Sequence, residues 1–202
     1  MFVTVEGIEG CGKSTLITGL SERLRPLGKE IIVTREPGGT KAGEIMRSLL
    51  LDPGMALAPL TEAFLVNAAR AQHIVEELEP ALRRGAVVLC DRYEDSTLAY
   101  QGYGRGVDLG VLRTIGEIAN GGVRADLTIV LDVPVAISRA RVGSRAAAAD
   151  RFDLQSDRFH MRVRDGFLDI ARTAERYHIM DGTRPPNELV DEAYDLVEAR
   201  LR

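Results

Sequence analysis

The 202-residue chain has no tryptophan, only two cysteines and three histidines, and no apolar run long enough to cross a bilayer. Cys11 and Cys90 lie far apart without metal-ligand spacing, which predicts two small buried residues in a reducing compartment and no zinc site. The scattered histidines are interpreted as packing or surface residues. Since residues 1–6 already have the pattern of a strand, we expect no leader, no membrane partner and a cytoplasmic location.

Charge of one sign is not in large excess either. The 26 basic and 30 acidic side chains give a formal net charge of -4, which argues against a general nucleic-acid binder. No linker rich in proline, glycine or serine and no charge run divides the chain, so residues 1–202 are expected to form a single domain. Small molecules are therefore the expected partners.

What the chain does contain is the glycine-rich loop GIEGCGKST, between an apolar run and an amphipathic one. Four of its residues match the phosphate-binding pattern G-x-x-x-x-G-K-[ST]. Such a loop turns successive backbone N–H groups towards a polyphosphate, which requires positions without a Cβ, and its lysine and hydroxyl serve the phosphates and their magnesium ion. The predicted nucleoside triphosphate site consists of Gly7, Ile8, Glu9, Gly10, Cys11, Gly12, Lys13, Ser14 and Thr15.

Five short apolar or β-branched runs alternate with stretches of helical periodicity. The runs are FVTV, EIIVT, AVVLC, LTIVLDV and YHIM. This alternation predicts an α/β fold, a five-stranded parallel sheet with helices on both faces. Ligands of such folds gather beyond the carboxyl ends of the strands, where this chain has polar and distinctive segments.

Asp91 and Arg92 end the third of these runs. A carboxylate there is suited to hold magnesium across from the phosphate loop, although a strand-end cap is the alternative interpretation. The planar guanidinium of Arg92 is suited to grip a second, acceptor phosphate, with an ordinary surface charge as the alternative.

Arginines accumulate in the stretch SRARVGSRAAAADRFD. We predict a lid at about residues 143–153 that closes over the transferred phosphoryl group, whereas a solvated helix face is the alternative. Arg145 and Arg151 flank the alanines and are the candidate catalytic arginines of this lid. Arg139 and Arg141 are assigned to the preceding helix, near an adenine.

Four segments occur in unbroken order within residues 6–106: EGIEGCGKST, TREPGGT, NAARAQH and DRYEDSTLAYQGYGRG. Together they resemble the thymidylate kinase family. The resemblance implies a P-loop kinase that transfers the γ-phosphoryl group of ATP to dTMP, with magnesium, in dTTP synthesis, and works as a homodimer. We expect Lys13, Arg92, Arg145 and Arg151 to neutralise charge in catalysis, with Ser14 and Asp91 at the metal.

On the acceptor side, the resemblance implies that Glu9 bonds the sugar 3′-hydroxyl and that Arg35 and Pro37 lie beside the phosphate. It also implies that Arg70 approaches thymine and that Tyr100 crowds a ribose 2′-hydroxyl. The full acceptor set implied is Glu9, Arg35, Pro37, Val66, Arg70, Arg92, Ser96, Thr97, Tyr100 and Gln101.

The chain departs from the family pattern at two positions. Val66 stands where many relatives carry a phenylalanine that stacks on thymine, with Phe64 nearby. Gly10 stands where some relatives carry an arginine in the phosphate loop, so we expect the catalytic arginines to come from the lid.

Other functions share the phosphate loop. A kinase of another nucleoside monophosphate or of a deoxynucleoside would differ in the acceptor pocket. A GTP-dependent switch needs a guanine-reading N-K-x-D segment, which this sequence lacks. A catalytically silent nucleotide-binding regulator would not need the lid arginines together with a Lys13 and Asp91 pair.

Overall fold

The computed structural model describes residues 1–144 and 150–202. Its centre is a parallel five-stranded sheet with the strand order β2-β3-β1-β4-β5. The strands are β1 (Phe2–Glu6), β2 (Ile31–Arg35), β3 (Val87–Asp91), β4 (Leu127–Asp132) and β5 (Tyr177–Asp181). All five predicted runs form these strands, so the predicted fold class is confirmed.

Nine α-helices connect and cover the strands in the described part of the chain. They are α1 (Lys13–Leu24), α2 (Lys41–Leu51), α3 (Pro59–His73), α4 (Glu79–Arg83), α5 (Glu94–Thr97), α6 (Leu109–Asn120), α7 (Val135–Gly143), α8 (Asp157–Ala171) and α9 (Pro186–Leu201). A 3-10 turn (Arg25–Leu27) follows α1, and π-helical segments continue α3 (Ile74–Leu78) and α5 (Leu98–Gly104). Within the described ranges, no helix has both the length and the apolar composition needed to cross a membrane.

The core lies on both faces of the sheet because successive strand side chains point in opposite directions. Val3 and Val5 of β1 belong to the larger cluster, together with apolar residues of α1 and α9. Phe2 belongs to a second cluster, in which Val88 packs against Ile74 of the helical segment after α3. Helices therefore cover both faces, as predicted.

The strand order places the candidate site. The chain leaves central β1 first for β2 and β3 on one side and later for β4 and β5 on the other. Ligands of open α/β sheets bind where the strand order reverses in this way, beyond the carboxyl ends. The glycine-rich loop follows β1 directly, and Asp91 ends the neighbouring strand β3.

Candidate active site

The glycine-rich loop takes a conformation that excludes side chains at two of its positions. Gly7 and Gly10 have φ angles of +136° and +73°. A Cβ atom on Gly7 would lie 2.6 Å from the Leu131 carbonyl oxygen, and one on Gly10 would lie 2.6 Å from that of Ser138 in α7. Because α7 occupies this space, the loop has no room for the arginine that some relatives carry at position 10.

Lys13 begins α1, and its side chain folds back into the loop. Its Nζ atom lies 3.3 Å from the Gly7 carbonyl oxygen and 3.2 Å from that of Ile8. The Ile8 side chain is buried in the core, so this residue offers the loop only its backbone. The ammonium group thus occupies the mouth of an anion-binding loop at the start of a helix, where the helix dipole also favours negative charge.

The residues predicted to hold magnesium lie side by side. The Ser14 hydroxyl donates to Asp91 Oδ2 over 3.5 Å, and the buried Asp91 Oδ1 has no hydrogen-bond partner among the described residues. A hydroxyl and a carboxylate with an unused oxygen suit magnesium, which proteins commonly bind through one or two carboxylates plus substrate phosphates. The described ranges contain no group of three or more His, Cys, Asp or Glu side chains that could hold a metal ion. Ser14 and Asp91 therefore do not belong to a metal site made entirely of such side chains.

Two clefts meet at the loop. One encloses about 230 Å³ and the other about 550 Å³, and Gly10, Lys13 and Ser14 line both. The larger cleft is closed on its other side by the segment after β5, at residues 182–186, and by Arg141 of α7. The smaller cleft is lined by nine of the ten predicted acceptor residues, all except Arg70: Glu9, Arg35, Pro37, Val66, Arg92, Ser96, Thr97, Tyr100 and Gln101. The geometry therefore suits two ligands whose reacting ends meet over Lys13.

Arg92 reaches back from the end of β3 over the phosphate loop. It is the one non-glycine residue of the described chain with a positive φ angle, +74°, a strained conformation that proteins keep mainly at functional sites. One guanidinium nitrogen donates to the Gly7 carbonyl oxygen (2.9 Å) and to Ser96 Oγ (3.1 Å). Burial alone would lower the pKa of Arg92, but Tyr100, Glu9 and other acidic neighbours raise it, so the side chain stays charged.

Glu9 is bound on one oxygen and open on the other. Its Oε1 atom accepts from the Tyr100 hydroxyl (2.5 Å) and from Arg92 (3.1 Å). Its Oε2 atom lies 3.4 Å from His160 Nδ1 and has no hydrogen-bond partner within the described ranges. Burial raises the pKa of Glu9, but His160, Arg92 and Lys13 together lower it well below its usual range. The carboxylate is therefore ionised at neutral pH.

Four of the implied acceptor residues, Ser96, Thr97, Tyr100 and Gln101, lie on a single helix. This helix changes from α to π geometry after Thr97, and all four residues line the smaller cleft. Glu6, buried at the end of β1, accepts from Ser96 Oγ (2.6 Å) and from the Tyr93 backbone N–H (2.7 Å). Burial and then the charge of Asp95 raise the pKa of Glu6 to about 8, against the lowering effect of Arg92 and of these two hydrogen bonds.

Arg70 lies behind the cleft. Its guanidinium is 1% exposed and bonds Glu36 Oε2 (2.7 Å) and Thr97 Oγ1 (2.9 Å). The other oxygen of Glu36 lies 3.0 Å from His73 Nδ1, so a buried network runs from β2 to the helix that carries Thr97. In the structure Arg70 orients Thr97, and its direct approach to a thymine ring stays a prediction.

The position of the missing phenylalanine is also defined. Val66 lines the smaller cleft, whereas Phe64 does not line it and is 54% exposed. The phenylalanine that does line this cleft is Phe152, whose ring contacts that of Tyr100, another lining residue, edge-to-face at a centroid distance of 5.5 Å. Phe152 lies within the predicted lid, but no sequence pattern distinguishes it as a residue of the acceptor cleft.

Arg47 is a second residue that the sequence did not reveal. It lines the smaller cleft from α2 and donates to the Pro37 carbonyl oxygen (2.9 Å). Burial and then the positive charges of Arg35 and Arg92 lower the pKa of Arg47. Three arginines around one cleft repel one another and are matched to an anion. Arg47 could not be found by motif, since it lies twelve positions after Arg35 on a helix of ordinary composition.

The predicted lid is described only in part. Arg145 lies outside the described residues, so its catalytic role is a prediction from the sequence alone. Arg151 is buried, bonds the Leu50 carbonyl oxygen (2.8 Å) and Glu62 Oε1 (2.7 Å), and lines neither of the two clefts as described. This placement differs from the expected one because Glu62 supplies a buried carboxylate for its guanidinium. Arg141 does lie in α7, where it bonds the Gly182 carbonyl oxygen (3.1 Å).

Known proteins resemble this chain along its whole length. The family model described as thymidylate kinase matches residues 5–193. A thymidylate kinase of Desulfovibrio desulfuricans is 49% identical, with 100% of this chain and 97% of that protein covered. One of Thermomicrobium roseum is 50% identical, with 97% and 93% covered. The crystal structure of thymidylate kinase from Ehrlichia chaffeensis superposes with a TM-score of 0.79 at 33% identity, covering 98% of both chains.

Proposed function

The chain belongs to the thymidylate kinase family, and from this premise we propose that it transfers the γ-phosphoryl group of ATP to the 5′-phosphate of dTMP, forming dTDP for dTTP synthesis. The observation that carries the proposal is the meeting of two clefts over Lys13 and Ser14. We assign ATP to the larger cleft, with its adenine beside Arg141 and residues 182–186. We assign dTMP to the smaller, arginine-lined cleft.

In this reaction the protein contributes mainly the alignment of the two substrates and the neutralisation of their negative charge. The attacking oxygen belongs to a phosphate that is ionised near neutral pH, so no strong general base is required. Arg35, Arg47 and Arg92 surround the place assigned to this acceptor phosphate. Lys13 faces the transferred group from the other side. The negative charge that develops between the two substrates is thus met by cations held in place before the reaction.

Magnesium is the metal that Ser14 and Asp91 fit. When bound with ATP it would supply positive charge on the triphosphate. Two residues would hold the ion. Ser14 offers its hydroxyl oxygen at the start of α1, and Asp91 offers the buried Oδ1 atom, which lacks a partner among the described residues.

The acceptor cleft also supports a preference for a deoxynucleotide with a 3′-hydroxyl. We assign Glu9 Oε2 as the acceptor of the sugar 3′-hydroxyl, since Oε1 is occupied by Tyr100 and Arg92. Tyr100 is fixed by that bond and by the ring of Phe152, and it would crowd a 2′-hydroxyl. Thr97 and Gln101 offer hydrogen-bonding groups for the base.

The first test is substrate identity. With ATP and magnesium, dTMP should be phosphorylated at least about a hundredfold more efficiently than UMP, dCMP or dGMP, because a polar pocket built for one base leaves its own groups unpaired with another. The measurement is kcat/KM for each nucleotide from ADP formation. Comparable turnover of UMP would contradict the proposed acceptor, and no turnover of any nucleotide would favour a silent regulator.

We propose that the enzyme works in the cytoplasm as a homodimer. Helices α2, α3 and α6 pack side by side and expose large apolar side chains at helical spacing. These are Ile45 and Leu49, Leu60 and Phe64, and Val111 and Ile118. A second copy of the chain would bury this surface, which the following variant tests.

Phe64→Glu is expected to convert a dimer into a monomer, because an ionised carboxylate would lie in an apolar interface. Light scattering after gel filtration should give twice the 22.1 kDa chain mass for the parent protein and one chain mass for the variant. Ile179→Glu, on the edge strand β5, is the matched control and should stay dimeric. A parent protein that runs as a monomer at micromolar concentration would contradict the homodimer.

A further inference from the structure

The imidazole of His160 is buried without hydrogen bonds. It lies in α8, its side chain is 2% exposed, and neither Nδ1 nor Nε2 has a hydrogen-bond partner among the described residues. Buried polar groups in proteins are nearly always paired, so an unpaired one requires an explanation. No sequence pattern distinguishes His160 from the other histidines.

The group that His160 faces is the open oxygen of Glu9. Its Nδ1 atom lies 3.4 Å from Glu9 Oε2, which is buried and also lacks a hydrogen-bond partner in the described part of the chain. The other oxygen of Glu9 is fully engaged by Tyr100 and Arg92. The protein therefore fixes one oxygen of this carboxylate and leaves the second beside an imidazole that has no hydrogen-bond partner among the described residues.

Packing holds the ring in this place. The Phe159 ring packs edge-to-face against the His160 ring, with a centroid distance of 5.5 Å. Its centroid lies 6.2 Å from that of the Tyr100 ring. Glu9 and Tyr100 line the acceptor cleft, whereas His160 is not among its lining residues. His160 therefore acts on a ligand in this cleft indirectly, and Glu9 is the lining residue whose polar atom faces the imidazole.

We propose that His160 is a positioning residue for recognition of the acceptor sugar: it fixes Glu9 so that Oε2 accepts a hydrogen bond from the 3′-hydroxyl. The inference rests on the proposed function, since it takes dTMP as the ligand of the acceptor cleft. Because the 3′-hydroxyl is remote from the phosphoryl group being transferred, loss of His160 weakens acceptor binding and leaves the chemical step unchanged.

The test compares two acceptors that differ only in the 3′-hydroxyl, dTMP and 3′-deoxy-dTMP. In His160→Leu, KM for dTMP should rise about tenfold, the scale of one hydrogen bond to a charged group, with kcat within about twofold. KM for 3′-deoxy-dTMP should stay within about twofold of the parent value, because this acceptor never used Glu9 Oε2. His160→Asn places an amide near the position of Nδ1 and should keep most of the discrimination, whereas His160→Gln, which mimics Nε2, should not.

Glu9→Gln is the reference variant, since it changes the assigned acceptor of the bond directly. The double variant Glu9→Gln/His160→Leu should lose little more discrimination than Glu9→Gln alone, because both changes remove one interaction. Equal losses for dTMP and 3′-deoxy-dTMP in both His160→Leu and His160→Gln would overturn the inference and leave His160 a packing residue, as would unchanged KM values. Failure of the proposed function would appear differently, as a parent enzyme that does not phosphorylate dTMP.

Discussion

Arg92→Met is expected to lower kcat/KM for dTMP by about 10³-fold or more, the range seen when a phosphoryl-transfer arginine is lost. The expected loss is large because this one guanidinium contacts the phosphate loop and also lines the acceptor cleft. It holds the phosphate loop through the Gly7 carbonyl oxygen, it holds Glu9 and Tyr100, and it lines the place assigned to the acceptor phosphate. Its removal also leaves the buried Glu9 carboxylate without its nearest cation.

Arg92→Lys separates charge from shape. A lysine keeps the positive charge but cannot donate from two nitrogens in one plane, so we expect a loss of about 10²-fold. Both variants should be assayed for kcat and KM and titrated calorimetrically with dTMP. Arg84→Met, which removes an exposed arginine paired with Glu30 away from both clefts, is the control and should retain activity. Turnover within tenfold of the parent in Arg92→Met would exclude a catalytic role for Arg92.

Arg151→Ala is expected to lower the unfolding free energy by about 3 kcal/mol, because it removes one partner of a buried ion pair. Glu62 is 1% exposed, and after the change it would keep only Arg105 and Gln101 as side-chain donors among the described residues. In a domain of this size the loss corresponds to a fall in Tm of roughly 6–12 °C. Arg83→Ala, in an exposed i,i+4 pair, is the control and should change stability by less than about 0.5 kcal/mol.

The same variant tests the catalytic role predicted for Arg151 from the sequence. That role requires the guanidinium to leave Glu62 when substrates bind, and it predicts a fall in turnover of at least about a hundredfold with little change in dTMP binding. Turnover is measured with saturating substrates well below the lowered Tm. A lowered Tm with near-normal turnover would restrict Arg151 to anchoring the C-terminal end of the lid, and the catalytic arginine would then be sought at Arg145.

The sequence alone determined the fold class and the two ends of the site. Five apolar runs separated by helical periodicity predict a parallel sheet. This pattern can be recognised from the sequence because strands and helices have different side-chain periods, and each period shows within a short stretch of consecutive residues. The phosphate loop was equally readable, since Gly7, Gly12, Lys13 and Ser14 act within one contiguous segment. The family resemblance extended this to the acceptor side, where nine of the ten implied residues line one cleft.

Only the tertiary structure decided the contacts between distant segments. Arg47, Phe152 and His160 join the site from α2, from the lid segment and from α8, and no local pattern marks them. Conversely, the sequence predicted site roles for Arg70 and Arg151, but in the folded chain each pairs with a buried carboxylate. Arg70 bonds Glu36, and Arg151 bonds Glu62. A long charged side chain can reach several partners from one backbone position. Which partner it pairs with depends on which carboxylate is buried beside it, and burial exists only once the chain is folded.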